Sequence, residues 1–328
     1  MTAGESEPPE SGSGLTVVIA LLANAGIAVL KAFAGLVTGS AALFAEAAHS
    51  VADTITEILL LTALRRSRRP ADRLHPFGYG KERYFWSLMA AVSIFASGSV
   101  LAIAEGIRAL TDEAREQASP EVAYVVLGLA FVLESVSWLR AVRQLRSEAA
   151  EERTPFFRYL RSVDDPTAKT VLLEDSAALI GLTLAFLGVG LHQITGSSVW
   201  DASASLAIGA LLAVVAYVLG RSNLDLLIGR QASRRLIDRI RRRLGEVPEI
   251  DVVVDLLTMS TGADRVLLCV RVDFVDDLSV AELERACVRV DGELRAEFAE
   301  LDEIFLEPVP RTDEELRSRV LARYGRIT

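Results

Sequence analysis

His49 and Asp53 stand four residues apart in the stretch "AEAAHSVADTITEILLL", Ala45–Leu61, so on a helix they share one face. Glu46, three residues before His49, lies near that face, and Glu57 follows one turn after Asp53. An imidazole beside a carboxylate suits a borderline divalent cation such as Zn²⁺. Two ligands do not complete a tetrahedral site, so another segment must contribute. The other adjacent acids well inside an apolar run are Glu174 and Asp175, in "VLLEDSAALIGL". His49 and Asp53 with one or both of these acids would supply three or four ligands. The competing reading is that these groups pair with one another and bind nothing. A charge near the bilayer centre costs about 2.5–3.5 kcal/mol on insertion scales, and ionisable groups kept there usually serve function. Glu46 and Glu57 are read either as ligands or as supporting groups.

The elements that must hold these residues are apolar. The chain has 328 residues, of which 51% are hydrophobic and 24% charged, with a mean hydropathy of +0.33. That combination requires the apolar residues to be segregated into spans. A membrane helix needs about 20 mostly apolar residues. Six stretches qualify: Leu15–Val37, Ala41–Leu64, Phe85–Leu110, Val122–Leu139, Thr167–Leu191 and Val199–Leu219. The first 14 residues, acidic and rich in Gly, Ser and Pro, read as a disordered tail rather than a signal peptide. A net charge of −9 argues against nucleic acid as a partner.

Basic residues set the expected orientation. Arg65, Arg66, Arg68, Arg69, Arg73, Lys81 and Arg83 lie between spans two and three. Arg140, Arg143, Arg146, Arg153, Arg158, Arg161 and Lys169 lie between spans four and five. The loop after span three holds Arg108 and Arg115 against Asp112, Glu113, Glu116 and Glu121. The basic loops should face the cytoplasm, and an even number of spans puts both termini there.

Beyond the spans the pattern changes to a small α+β unit. "QASRRLIDRIRRRLGEV" has helical spacing; "DVVVDLLTMS" and "DRVLLCVRVDF" are β-rich runs joined by "TGA". "SVAELERACVRVDGELRAEF" is helical again, with Ser279 or Asp277 as N-cap, and "EIFLEPVP" is a last strand. The order αββαβ lets helices cover one face of a three-stranded sheet. A short helix is expected around Asp313–Tyr324. Cys269 and Cys287 both fall in this region and are no disulfide framework, which suggests a reducing compartment.

"GSAALFAEAAHSVADT", followed by "HPFGYGKERYFWSL", resembles the cation diffusion facilitator family, as do "EDSAALIGL", "DASASLAIG" and the hairpin "LLTMSTGADRVLLCVRVDF". The combination is most similar to the branch that includes the animal mitochondrial zinc transporter. The resemblance implies a six-helix transmembrane bundle over residues 15–228. It also implies a cytoplasmic ferredoxin-like domain over 229–310, a helical tail over 311–328 and a homodimer. It implies exchange of Zn²⁺ or a related divalent cation for protons, the cation being substrate and not a resident cofactor. The excess of Arg over Lys points to a bacterial protein, hence to an inner membrane.

Four departures from the family pattern follow from the same resemblance. Zinc-transporting members carry His or Asp four residues before the acid matched by Asp175; here that position is Val171, and Glu174 is the nearest substitute. Some members bind zinc in the loop between spans two and three with an Asp and two His. Asp72 and His75 match two of these ligands, and the third position is Tyr79. His49, His75 and His192 are all the histidines of the chain, so the C-terminal region has none with which to sense metal, and Cys269 reads as a buried small hydrophobe. Lys81 matches a loop lysine that pairs with an Asp after span six, but the matching position is Gly229, with Asp225 as a replacement.

The expected function is proton-coupled export of Zn²⁺ from the cytoplasm. His49, Asp53, Glu174 and Asp175 form the transport site, and His49 exchanges its proton as metal binds and leaves. Asp72 and His75 form at most a weak loop site. The rivals are Mn²⁺, Fe²⁺, Co²⁺ or Cd²⁺ as substrate, and a non-transporting membrane metal sensor. An intramembrane metalloenzyme would want a motif such as His-Glu-x-x-His, which does not occur.

Overall fold

The computed structural model describes residues 11–111, 119–151, 154–156, 159, 166–263 and 265–324. Residues 1–10 of the expected tail lie outside them, as do Asp112, Glu113, Arg115, Glu116, Arg153, Arg158 and Arg161, while Ser11–Gly14, expected in the tail, are helical. Contacts divide the chain into two compact units, Met1–Leu64 with Tyr84–Leu224, and Arg65–Arg83 with Asp225–Thr328.

The first unit is helical. Its elements are α1 (Ser11–Thr38), α2 (Ala41–Ser67), α3 (Glu82–Thr111), α4 (Pro120–Glu151), α5 (Pro166–Thr195) and α6 (Val199–Ile228). Among the described residues, α2 to α6 are long and apolar enough to cross a membrane. In α1 the apolar helix counted by the same measure is the shorter Asn24–Thr38. Five of the six expected spans are therefore met on this criterion.

The packing shows why the sequence folds this way. Large apolar residues such as Leu36, Val125, Val132 and Val214 face outward, while the core is built largely from alanine with Leu127, Leu182, Ile208 and Leu212. Small residues let helices approach without a hydrophobic drive between them. A Cβ on Gly209 would meet the Ser99 carbonyl oxygen at 3.1 Å, and one on Gly188 would meet the Ala204 Cβ at 2.6 Å. Where Gly209 of α6 meets α3, Ser99 Oγ donates to the Gly209 carbonyl (2.8 Å) and Ser205 Oγ to the Ala102 carbonyl (2.8 Å). Helix α3 widens there into a π-helical segment, Ile94–Ser99. Gly39, at φ 71°, ends α1, and α2 starts under a cap from α6. Asp201 accepts from Ser40 Oγ at 2.6 Å and from the Ala41 amide at 2.5 Å. The "DASASLAIG" motif thereby fixes the start of the helix that carries His49.

The second unit contains α7 (Arg234–Gly245), β1 (Ile250–Gly262), β2 (Arg265–Phe274), α8 (Val280–Glu297), β3 (Leu301–Pro308) and α9 (Glu314–Tyr324). The expected order αββαβ and the helix near Asp313–Tyr324 are both found. β1 pairs antiparallel with β2, and β2 pairs parallel with β3. Val266, Leu268, Val270, Val272 and Phe274 alternate along β2 and form one core with Leu236, Ile240 and Leu244 of α7 and Ala286, Val290 and Leu294 of α8. Of the two candidate caps, Ser279 is the one used, in a reciprocal capping box with Glu282.

The segment Arg65–Arg83 packs on the hairpin of this unit. A Cβ on Gly80 would run into the Thr261 carbonyl oxygen. Gly229, at φ 122°, closes α6, and a Cβ there would stand 2.8 Å from Met259 Sδ. Lys81 Nζ lies 3.6 Å from the same sulfur, and among the described residues no carboxylate reaches it within 4 Å. Asp225, the expected replacement partner, does not pair with Lys81. Where an acid would sit, this chain has a left-handed backbone turn that only glycine adopts easily, and Met259 fills the space.

Candidate metal-binding cavity

A cavity of about 570 Å³ opens inside the helical unit. Helix α2 contributes Ser50, Asp53 and Glu57; α4 contributes Glu134, Ser137 and Arg140; α5 contributes Val171, Glu174 and Asp175; α1 contributes Asn24. Asp53, Glu57, Glu134, Glu174 and Asp175 thus face one space, opposed among the described lining residues by Arg140 alone. Five carboxylates thus share one space with one guanidinium, inside a segment whose exterior is apolar.

Of the expected ligands, the structure brings Asp53, Glu174 and Asp175 to this cavity. Asp175 Oδ2 accepts from Ser137 Oγ at 2.9 Å, which ties α5 to α4. Glu174 is buried, and its Oε1 has no hydrogen-bond partner. Neighbouring positions on a helix point about 100° apart. Both nevertheless line the space because three helices bound it. Asp53 Oδ1 is likewise buried without a hydrogen bond, and it stands 3.5 Å from His49 Nδ1. His49 is 1% exposed, sits behind Asp53 rather than among the lining residues, and neither ring nitrogen makes a hydrogen bond. Glu57 lines the cavity and accepts from Asn24 Nδ2 at 3.1 Å.

Among the described residues no three His, Cys, Asp or Glu side chains stand close enough to share one ion. The cavity therefore offers ligands on three helices rather than a closed cage.

Glu46 does not face this cavity. Its Oε2 lies 3.0 Å from Lys31 Nζ, which also donates to Ser50 Oγ at 2.8 Å. Lys31 and Glu46 are both fully buried. The pair explains the fourth polar group of α2: it is half of an internal ion pair.

The loop residues form a different arrangement. Asp72 Oδ1 accepts from the Leu74 and His75 amides at 2.9 and 2.7 Å, and Asp72 Oδ2 accepts from Tyr79 Oη at 2.7 Å. His75 Nδ1 lies 3.4 Å from Asp72 Oδ1, and its ring stacks on Tyr79 with centroids 4.3 Å apart. The Tyr79 hydroxyl, followed by the loop amides, holds the Asp72 carboxyl below its ordinary pKa, and Asp72 in turn raises that of Tyr79. Both Asp72 oxygens already serve as acceptors within a turn.

Two charged residues escaped the sequence reading, Glu134 in the cavity lining and Lys31 outside it. Glu134 lies in "FVLESVSWL", where a search for adjacent acids passes over a single one. Lys31 lies within the first apolar stretch, and its charge at that depth is the signal that marked α2.

Comparison with known proteins agrees with this architecture. A model of the cation efflux transmembrane domain matches residues 17–228. A mitochondrial proton-coupled zinc antiporter of Mus musculus is 34% identical over 263 residues, which cover 80% of this chain and 46% of that protein. Metal tolerance protein C4 of Arabidopsis thaliana is 32% identical over 309 residues, 94% of this chain and 65% of that protein. A manganese efflux system protein of Bacillus subtilis (strain 168) is 23% identical over 313 residues, 93% and 98% of the two chains. The chain spans about half the length of the animal relative and nearly all of the bacterial one. With the transmembrane model covering α1 to α6 and the acidic cavity enclosed by α2, α4 and α5, this chain belongs to the cation efflux family, the cation diffusion facilitators, a family of transporters and not of enzymes.

Proposed function

We propose that this protein is a proton-coupled antiporter that exports Zn²⁺ from the cytoplasm. One observation carries the reading: carboxylates from three membrane helices, Asp53, Glu134 and Asp175 among them, face one cavity in whose described lining Arg140 is the cation. Such a space attracts a divalent ion, and its helices can move against one another to change the side of access. His49, buried 3.5 Å from Asp53, is the nitrogen donor that suits zinc. Ligation needs its neutral imidazole, so metal entry and proton release are linked there. The sequence similarity to a zinc antiporter supports the same substrate.

The family resemblance also supports six spans with α1 included, a ferredoxin-like reading of the αββαβ unit, and a homodimer. The basic loops support cytoplasmic termini in a bacterial inner membrane. Asp72 and His75 serve this reading as a structural turn, since Tyr79 already occupies Asp72.

A second reading is favoured by the cavity itself. Its charged lining is oxygen-rich and His49 stands behind it, which suits a harder ion such as Mn²⁺; a manganese efflux protein is among the relatives. Purified protein in proteoliposomes with an imposed pH gradient separates the two. Zn²⁺ uptake that outcompetes Mn²⁺ and is lost in His49→Ala supports zinc antiport. Preferred Mn²⁺ uptake that survives His49→Ala supports the second reading. Binding without transport of either ion, in protein of verified insertion, supports a sensor.

A further inference from the structure

We propose that Glu134 of α4 is a direct ligand of the transported divalent cation and supplies the carboxylate that Val171 does not; this rests on the transport-site reading above. Glu134 lines the cavity together with Asp53 of α2 and Asp175 of α5. Among the described residues it makes no hydrogen bond and no ion pair. Ser137, three residues further along the same face of α4, donates to Asp175 at 2.9 Å. That bond brings the Glu134 face of α4 to the level of the α5 ligand. Val171 lies one turn before Asp175 and also lines the cavity, but it has no donor atom.

An independent observation points to a ligand in this space. Glu174 is only 8% exposed, lines the same cavity, and its Oε1 has no hydrogen-bond partner. Thr56 of α2 is the side-chain neighbour of this carboxyl, and the Oε1 left without a donor is costly to bury, a cost that a cation in the cavity would offset. The ligand is thus a divalent cation held from three helices. Glu134 has a side chain long enough to reach a cation held between Asp53 and Asp175.

The test is equilibrium titration of the purified full chain in nanodiscs with Zn²⁺ and with Mn²⁺. Glu134→Gln should weaken binding by at least the roughly 10–100-fold that loss of an outer-shell group costs at metal sites. Adding Val171→Asp to Glu134→Gln should restore at least about tenfold, because it returns a carboxylate to the same cavity from α5. Wild-type affinity in Glu134→Gln, with binding lost in Asp175→Asn, overturns the proposal and leaves the cavity as the metal site. Weakening without rescue in a monodisperse double variant also overturns it, since Glu134 then acts through structure. Unchanged binding in both Glu134→Gln and Asp175→Asn removes the cavity reading itself.

Discussion

Replacing Lys31 with methionine should destabilise the helical unit as strongly as a large-to-small change in its apolar core. Lys31 Nζ holds Glu46 Oε2 at 3.0 Å and Ser50 Oγ at 2.8 Å, and both charged side chains are fully buried. Glu46 Oε1 has no other partner, and the space beside it is closed: a Cβ on Gly181 of α5 would run into that oxygen. Lys31→Met therefore leaves an unpaired carboxylate with no room for water. Breaking a buried pair from one side costs about 3–5 kcal/mol, whereas replacing both partners by neutral groups of similar volume is close to neutral. For a unit of this size each kcal/mol moves the melting temperature by roughly 2–4 °C, so the single variant should melt roughly 6–20 °C lower. Lys31→Met/Glu46→Gln should recover most of that loss. Thermal unfolding in one detergent, followed by monodispersity on size exclusion, reads both variants. A single variant that melts with the wild type, or a double variant no better than the single, would refute the buried-pair account.

Three further outcomes follow from the geometry. Asp201→Ala removes the acceptor for Ser40 Oγ and the Ala41 amide, so α2 loses its cap, and thermal unfolding should show a loss of about 1–2 kcal/mol. Gly80→Ala places a methyl against the Thr261 carbonyl, so hydrogen exchange in residues 65–83 should rise while the α7–α8 core stays protected. The Asp72 carboxyl is held below its ordinary pKa first by Tyr79. The order it gives the loop is therefore complete above the unfolded value near pH ~4 and is lost as pH falls through the lower folded value. Exchange rates in residues 72–79 should rise on acidification, and Tyr79→Phe should move that rise to higher pH.

Much of the architecture was legible because membrane helices and alternating strands leave strong periodic marks. The αββαβ order came from the β-rich runs around "TGA", and β2 does alternate from Val266 to Phe274. The site was legible in part. Asp53, Glu174 and Asp175 reach the cavity as their depth in apolar runs suggested. Glu46 did not, because spacing on α2 cannot reveal a lysine arriving from α1. Glu134 was passed over because a lone acid in α4 has no sequence neighbour to mark it; only the fold sets it beside Asp175. The Lys81 contact with Met259 was equally invisible, since it depends on the left-handed turn at Gly229.

One divalent cation should bind among α2, α4 and α5. Anomalous diffraction from metal-loaded protein, recorded on both sides of the absorption edge of the added metal, locates the ion and identifies it in one experiment. The expected result is a peak inside the cavity within coordination distance of Asp53 and Asp175. A peak only at the Asp72–His75 loop or the C-terminal sheet, with the cavity empty in protein that transports, would contradict it.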